Sequence, residues 1–455
     1  MIRTLMKPIE SLSGSGSGST KARGGALGAI LGTSAVGVAV MLVGMASSVV
    51  TARWFGVEGK GEFSAIVFWP TLLAGLLSFG LPTSLIYNRR SRPEQSADVV
   101  RAGFLFQLPV CVLAGLAAWF GLPAWMGNYS EPIVRIAQWY TVLMLPLLLA
   151  MGLLSALAQS EENFRLYNGL RLYVPLSNLA GLLALWAGGW LNQASASLVY
   201  LGTSLAVLVW SLYRLKGQLA VGWFGRFADK GAVKSLFGYG SRVYGVELLG
   251  TLYGQCDKLI ILALLSPRAF GLYTVVYTLS RVFNVVQTAV SSVAFPKVTG
   301  QDPDRVVATV SRAFRLSFVL MLLALVPGLI VGRWLLGLLY GPPFLESATA
   351  FGLLSLECII GGGSWILATS FNALGRPGLV AIRQAIALAA TIGLLFALAP
   401  EYGLNGVAAA MLIGACCRLA ITIAAMKLAL KAPLKSVLFD ASDWRFLRER
   451  LLRQA

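Results

Sequence analysis

The chain has 455 residues, 57% of them hydrophobic and only 12% charged, against roughly 25% charged in soluble globular domains. With a mean hydropathy of +0.74 it is an integral membrane protein, and a string of soluble domains is excluded. The absence of histidine removes the commonest general base and zinc ligand. The five cysteines (Cys111, Cys256, Cys358, Cys416, Cys417) lie in apolar stretches, so neither a disulfide framework nor a metal site is expected.

In chain order, Met1 to Arg23 lacks an apolar core and carries the flexible run Ser13 to Ser19, which reads as a disordered tail (1–24) and not a cleavable signal. Twelve windows then approach the roughly 20 apolar residues that a helix needs to cross a bilayer. They run from Gly25 to Val50, Phe63 to Asn88, Ala102 to Trp125, Ile133 to Ala158, Leu172 to Leu191, Ala196 to Tyr213, Leu236 to Leu265, Gly271 to Phe295, Leu316 to Leu339, Ser347 to Asn372, Gly378 to Pro400 and Gly403 to Met426. The last two are separated only by a turn at Glu401-Tyr402. With both termini inside, 28 Lys or Arg fall on inner segments and five on the outer side (Arg53, Lys60, Arg135, Arg268, Arg333). This asymmetry fixes the orientation and accounts for most of the net charge of +18 without nucleic acid. In the basic tail (427–455), Trp444, Leu447 and Leu451 stand opposite arginines at helical spacing, the pattern of a helix lying on an anionic leaflet.

The first outer turn, Gly56 to Phe63, has an ungapped counterpart 210 residues later at Ser266 to Tyr273. Six spans separate the two, so the copies share one orientation. The expected fold is all-α: two six-helix lobes (25–213 and 236–426), joined by an inner linker (214–235) and related by a parallel pseudo-two-fold repeat.

Several further stretches carry a family resemblance. They are Ala52-Arg53-Trp54-Phe55-Gly56, Asp257 to Tyr273, Phe295-Pro296, Leu339-Tyr340-Gly341-Pro342, Leu374-Gly375-Arg376-Pro377 and Tyr402-Gly403-Leu404-Asn405-Gly406. In their order and spacing they resemble the Wzx-type polysaccharide transporters, part of the superfamily that includes multidrug and toxin extruders and lipid II flippases. Ser266 stands where that family usually has glycine, and Lys60 where an aromatic residue is common. The resemblance implies a multi-pass flippase of the bacterial inner membrane with both termini cytoplasmic. It would move an undecaprenyl-pyrophosphate-linked oligosaccharide outward by alternating access, with membrane lipids and polysaccharide assembly proteins as partners.

A charge at the bilayer centre costs roughly 2.5 to 3.5 kcal/mol on the insertion scale, so each one has a partner, a wet cavity or a function. All those deep within spans fall in the second lobe: Arg242, Glu247, Asp257, Lys258, Arg281, Glu357 and Arg418. Tyr277, Arg281, Asn284, Thr288 and Ser291 form one polar stripe on span eight, which is expected to face a cavity. Guanidinium offers a diphosphate a planar fork of donors, so Arg281 and Arg418 are the foremost candidates for binding it, with Arg242, Lys258, Asn284 and Tyr277 beside them. The alternative is that Glu357 neutralises one of the arginines. Glu357, Asp257 and Glu247 read either as sites for a coupling proton or Na+, or as charge balance; no other cofactor is expected. Gly361, Gly362 and Gly363 read as a hinge or as close helix packing.

Two other functions compete. A cation-coupled multidrug exporter of the same fold predicts an acidic cavity. A membrane enzyme acting on lipid-linked glycan predicts a substantial outer loop, and the longest here is about ten residues (Arg53 to Glu62). No phosphate-binding Gly-rich loop, metal cluster or nucleophile and base pair stands out as catalytic.

Overall fold

In a bilayer each backbone N–H and C=O must be satisfied within the chain, so long apolar windows become helices. The computed structural model describes residues 19–91, 96–217, 230–287, 290 and 301–440. Among these the regular elements are helical: α1 (Ser19–Leu76), α2 (Leu81–Ser91), α3 (Ser96–Trp125), α4 (Glu131–Ser160), α5 (Phe164–Ala187), α6 (Gln193–Arg214), α7 (Lys230–Leu264), α8 (Pro267–Ser280), α9 (Pro303–Leu335), α10 (Ala348–Ala373), α11 (Pro377–Leu430) and the short α12 (Leu434–Leu438). Nine helices among the described residues are long and apolar enough to cross a membrane. Two of them, α1 and α11, each fold back once, at Gly56 (φ 69°) and Gly403 (φ 55°). Counted twice, and joined by the charge-bearing α7, they give the twelve crossings expected from hydropathy. The protein is a multi-pass membrane protein.

Local details differ from the expectations. The turn at Glu401-Tyr402 is absent, because Gly403 alone reverses the chain in a conformation that favours glycine. The second crossing is broken between α1 and α2, where Phe79 (φ 49°) and Gly80 (φ 66°) interrupt it. The eighth is interrupted by a 3-10 turn at Arg281–Phe283. Helix α1 begins at Ser19, inside the stretch expected to be unstructured, and α11 continues to Leu430. Residues 1–18, most of the inner linker, Phe295-Pro296 and the tail helix around Trp444 lie outside the described residues.

The 210-residue offset reappears as contact. Helices α1 and α8 lie against each other so closely that a Cβ added to Gly61 would stand 1.8 Å from the Pro267 carbonyl oxygen and 2.9 Å from the Gly271 nitrogen. A Cβ added to Gly271 would stand 2.0 Å from the Val57 carbonyl oxygen and 3.0 Å from the Gly61 nitrogen. Three residues further on, Ser64 Oγ and Thr274 Oγ1 are 3.4 Å apart. Each residue meets its own repeat partner or its partner's neighbours, which is what a two-fold axis between the lobes requires. The contact lies at the basic-poor end, and the largest apolar core continues across it from Ile66 and Phe68 to Tyr273 and Val276.

At the basic-rich end α7 crosses between the halves. Its first third packs on α2: Ser84 Oγ donates to the Leu236 carbonyl (2.6 Å), and the rings of Tyr87 and Tyr239 stack at 4.0 Å. Its last third, Tyr253 to Leu262, belongs to the core shared with α8.

Because Gly61 faces backbone, which cannot rotate away, Gly61→Ala is expected to cost about 1 to 3 kcal/mol. Gly202→Ala on α6, where an added Cβ meets nothing within 4 Å, is expected to leave stability unchanged or slightly raised. Thermal unfolding of the two purified variants in detergent checks this, with a lower midpoint for the first only.

Candidate functional site

A cavity of about 430 Å³ lies between the lobes beside the Gly61–Gly271 contact. Both halves of α1 line it, from Gly44 to Thr71, facing α7 and α8 through Lys258, Thr274 and Thr278, with Asn178 and Tyr200 to one side. The reversal at Gly56 brings Lys60 back alongside the helix it has just left. Its ammonium donates to Thr51 Oγ1 (2.8 Å), while the Thr51 hydroxyl donates to the Ser47 carbonyl (2.8 Å). Lys60 is 7% exposed, and no carboxylate lies within ion-pair distance of it among the described residues. The other charged lining residue is Lys258, so the wall presents two ammonium groups and no carboxylate.

Behind Lys258 the charges run into the second lobe. Asp257, 1% exposed, lies 3.7 Å from the Lys258 ammonium and accepts a short hydrogen bond from the Tyr273 hydroxyl. The Tyr277 ring has the Lys258 ammonium 4.2 Å and the Arg281 guanidinium 4.1 Å from its centroid, within cation–π range. Arg281 Nη2 is 2.8 Å from Glu357 Oε2, on a side chain almost wholly buried. Arg418 lies over the Tyr253 ring at 4.3 Å and makes no ion pair among the described residues. Ammonium groups lining a cavity are suited to holding an anion; Thr51 holds Lys60 in place, and the buried pairs lie behind Lys258.

A family model described as "Polysaccharide biosynthesis protein" matches residues 50–349, about two thirds of the chain. This chain belongs to that family. Among curated proteins it is 21% identical to one from Shigella flexneri named "Putative O-antigen transporter", covering 78% of this chain and 87% of that protein. It is 26% identical to a Haloferax volcanii protein named "Probable flippase AglR", covering 82% and 77% respectively. Among solved structures it resembles one described as lipid II flippase MurJ in an inward closed conformation, with a TM-score of 0.74 and 14% identity over 89% of this chain and 88% of that one. It also resembles an inward-facing MATE family multidrug transporter, with a TM-score of 0.68 and 14% identity over 87% and 95%. These likenesses establish the fold.

In this polysaccharide biosynthesis protein the residues singled out by sequence separate into groups. Lys258, Tyr277, Arg281, Glu357 and Asp257 are brought together, and Asn284 joins them by accepting from the Cys358 thiol (3.0 Å). Of the two foremost arginines, Arg281 is engaged by Glu357, the alternative weighed for it. The stripe expected on span eight is not one regular helix face, because Arg281 sits in the 3-10 turn; Thr288 and Ser291 lie outside the described residues. Arg242 is exposed on the first third of α7, and Glu247 accepts from Thr83 of α2 (2.7 Å). Neither joins the group.

The three glycines that read as a hinge or as close packing lie in an uninterrupted stretch of α10. Each receives a neighbour where a Cβ would stand: Arg418 Nη2 at 2.5 Å over Gly361, the Gln287 amide at 1.6 Å over Gly362, and the Phe314 ring at 2.7 Å over Gly363. Their role in this conformation is close packing.

Two cations escape a linear reading. Lys60 counts as an outer-turn residue by hydropathy, yet it is buried against Thr51; its place between Gly59 and Gly61 in a chain reversal was the available signal. Arg383, near the start of the Gly378 to Pro400 window, is 2% exposed and donates through Nη1 to Ser364 Oγ (2.8 Å) and Thr422 Oγ1 (2.9 Å). The helix it belongs to starts at Pro377, which puts Arg383 about 9 Å inside.

Removing the Arg281 guanidinium leaves Glu357 as a buried uncompensated charge, so Arg281→Ala is expected to cost roughly 3 to 5 kcal/mol. Adding Glu357→Gln to Arg281→Ala is expected to recover most of it. Denaturation midpoints of the purified single and double variants measure both, and an equally unstable double variant contradicts the pairing.

Proposed function

We propose that this protein is a flippase that carries an undecaprenyl-diphosphate-linked oligosaccharide from the cytoplasmic to the periplasmic leaflet of the bacterial inner membrane during polysaccharide biosynthesis. One observation carries the reading: the charged residues that line the cavity between the lobes are Lys60 and Lys258, and its lining holds no carboxylate. An anionic headgroup drawn out of water into a partly dry site needs cations already in place, and it gains more from them there than in water. A cation-coupled drug exporter needs the opposite sign. The nearest carboxylate, Asp257, is buried behind Lys258 and engaged by Tyr273. The names of the curated relatives, a transporter and a flippase, support transport over enzymatic turnover.

In this reading the excess of basic residues at one end places that end, and both termini, in the cytoplasm. The Gly61–Gly271 contact closes the periplasmic end while the headgroup enters from the cytoplasmic side. The headgroup binds Lys60 on the first lobe and Lys258 on the second, so occupancy draws the lobes together around it. The glycan stays in the wet cavity and the polyprenyl chain remains in lipid. A bound anion competes with Asp257 for Lys258, which makes Asp257 the carboxylate best placed to take up a coupling proton or Na+. Glu357, tied to Arg281, holds Tyr277 and hence Lys258 in register. Arg418 and Asn284 border the route further in. Membrane lipids and the proteins that build and extend the glycan are the partners.

The test is translocation of a fluorescent lipid-linked oligosaccharide in vesicles containing the purified protein. Lys60→Met keeps the volume of the side chain and removes its charge; it is expected to lower the rate at least about tenfold, the factor for a loss of 1.4 kcal/mol. Lys60→Arg, which keeps the charge, is expected to retain most of the rate. Unchanged translocation by Lys60→Met combined with Lys258→Met, at normal protein density, contradicts the proposal.

A further inference from the structure

The basic-poor end is held by more than glycine packing. Helix α9 finishes in a π turn, Leu336–Tyr340, followed by Gly341 at φ 107°. The Gly341 N–H turns back to the carbonyls of Leu336 and Gly337, both at 3.1 Å. The next two carbonyls are taken by a side chain from the other lobe: Arg53 of α1 donates from Nε to Leu339 O (2.7 Å) and from Nη2 to Leu338 O. A planar guanidinium makes two charge-assisted bonds at the negative end of a helix, where a cation is favoured.

Both partners of this clasp are fixed to their own lobes. Next to Arg53, the Trp54 indole donates to the Leu191 carbonyl (2.6 Å), and Gly56 reverses the chain two residues later. On the other side, the 3-10 turn after the π turn carries Glu346, which receives both Arg268 Nη2 (2.9 Å) and Nε (3.1 Å). The clasp therefore joins two anchored pieces, separated by about 285 residues in sequence, at the end where Gly61 meets Gly271.

We propose that Arg53 is a positioning residue of the transport cycle. It caps the end of α9 across the lobe boundary and holds the periplasmic end closed until the lobes rock apart. The inference rests on the alternating-access reading. It adds a specific bond that must break at each outward opening, after which the Leu338 and Leu339 carbonyls and the guanidinium pass to water. The structure of the clasp sets the balance between closed and open states without touching substrate.

The experiment is a distance measurement between spin labels at Ser130 and Glu401, exposed residues of the two lobes at this end, on a background lacking the five native cysteines. Purified full-length protein in lipid nanodiscs is used without substrate, so neither orientation nor transport enters the readout. With Arg53 intact a short-distance population is expected. Arg53→Ala is expected to raise the ratio of long to short distances by about tenfold. Arg53→Lys, which keeps the charge and loses the fork, is expected to raise it less. Arg333→Ala, an exposed arginine on α9 without this clasp, is expected to leave it unchanged. Should Arg53→Ala fail to accumulate, Arg53→Lys decides alone. Distributions that superimpose on the unaltered protein for both Arg53 variants overturn the proposal. Failure of the flippase reading would show in the vesicle assay and leave this shift intact.

Discussion

Two glycines 210 residues apart press backbone against backbone, and the arrangement of the whole molecule follows from that approach. Neither position has room for even a methyl group. Because Gly61 and Gly271 occupy equivalent places in the two lobes, their contact also marks the pseudo-two-fold axis, and Ser64 and Thr274 form a second related pair beside it. The cavity begins where this packing ends, and Lys60 is buried because the reversal at Gly56 folds it between the contact and Thr51. A wider separation at these glycines would expose that ammonium and dissolve the site.

The symmetry holds for shape and is broken by charge. In the first lobe the ammonium of Lys60 is met by a hydroxyl. In the second, Asp257 and Glu357 each stand against a cation, while Arg418 rests on an aromatic ring and Arg383 on hydroxyls and a carbonyl. Groups of this kind are costly in a membrane interior, and the second lobe retains more cations than anions. In the proposed function this excess of positive charge complements a diphosphate and disfavours a lipophilic cation. The buried pairs add no binding group of their own; they hold Lys258 where it faces the cavity.

Much of the fold was legible because hydropathy and helix length are properties of the chain alone. The twelve crossings and the 210-residue repeat needed no knowledge of packing, and Ser64 beside Thr274 shows the same offset in space. The site was legible only in part. Spacing along a helix suggested Arg281 as a cavity residue, but the 3-10 turn and the position of Glu357 on α10 depend on how separate helices meet. Lys60 fell on the outer side by its place between two apolar windows, and burial does not follow from that place once the chain reverses at one glycine. The packing at the triple glycine depends on the side chains of Arg418, Gln287 and Phe314, which come from other helices or distant parts of the chain and leave no mark in the local sequence.

In the proposed function the cavity selects an anionic headgroup through lysines of both lobes. Calorimetric titration of the purified protein tests it most directly, with a short-chain polyprenyl diphosphate in one arm and a lipophilic cation of similar size in the other, each at low and high salt. Binding of the diphosphate is expected to weaken as salt rises, with no competition from the cation. Binding of the cation with none of the diphosphate would contradict that selection.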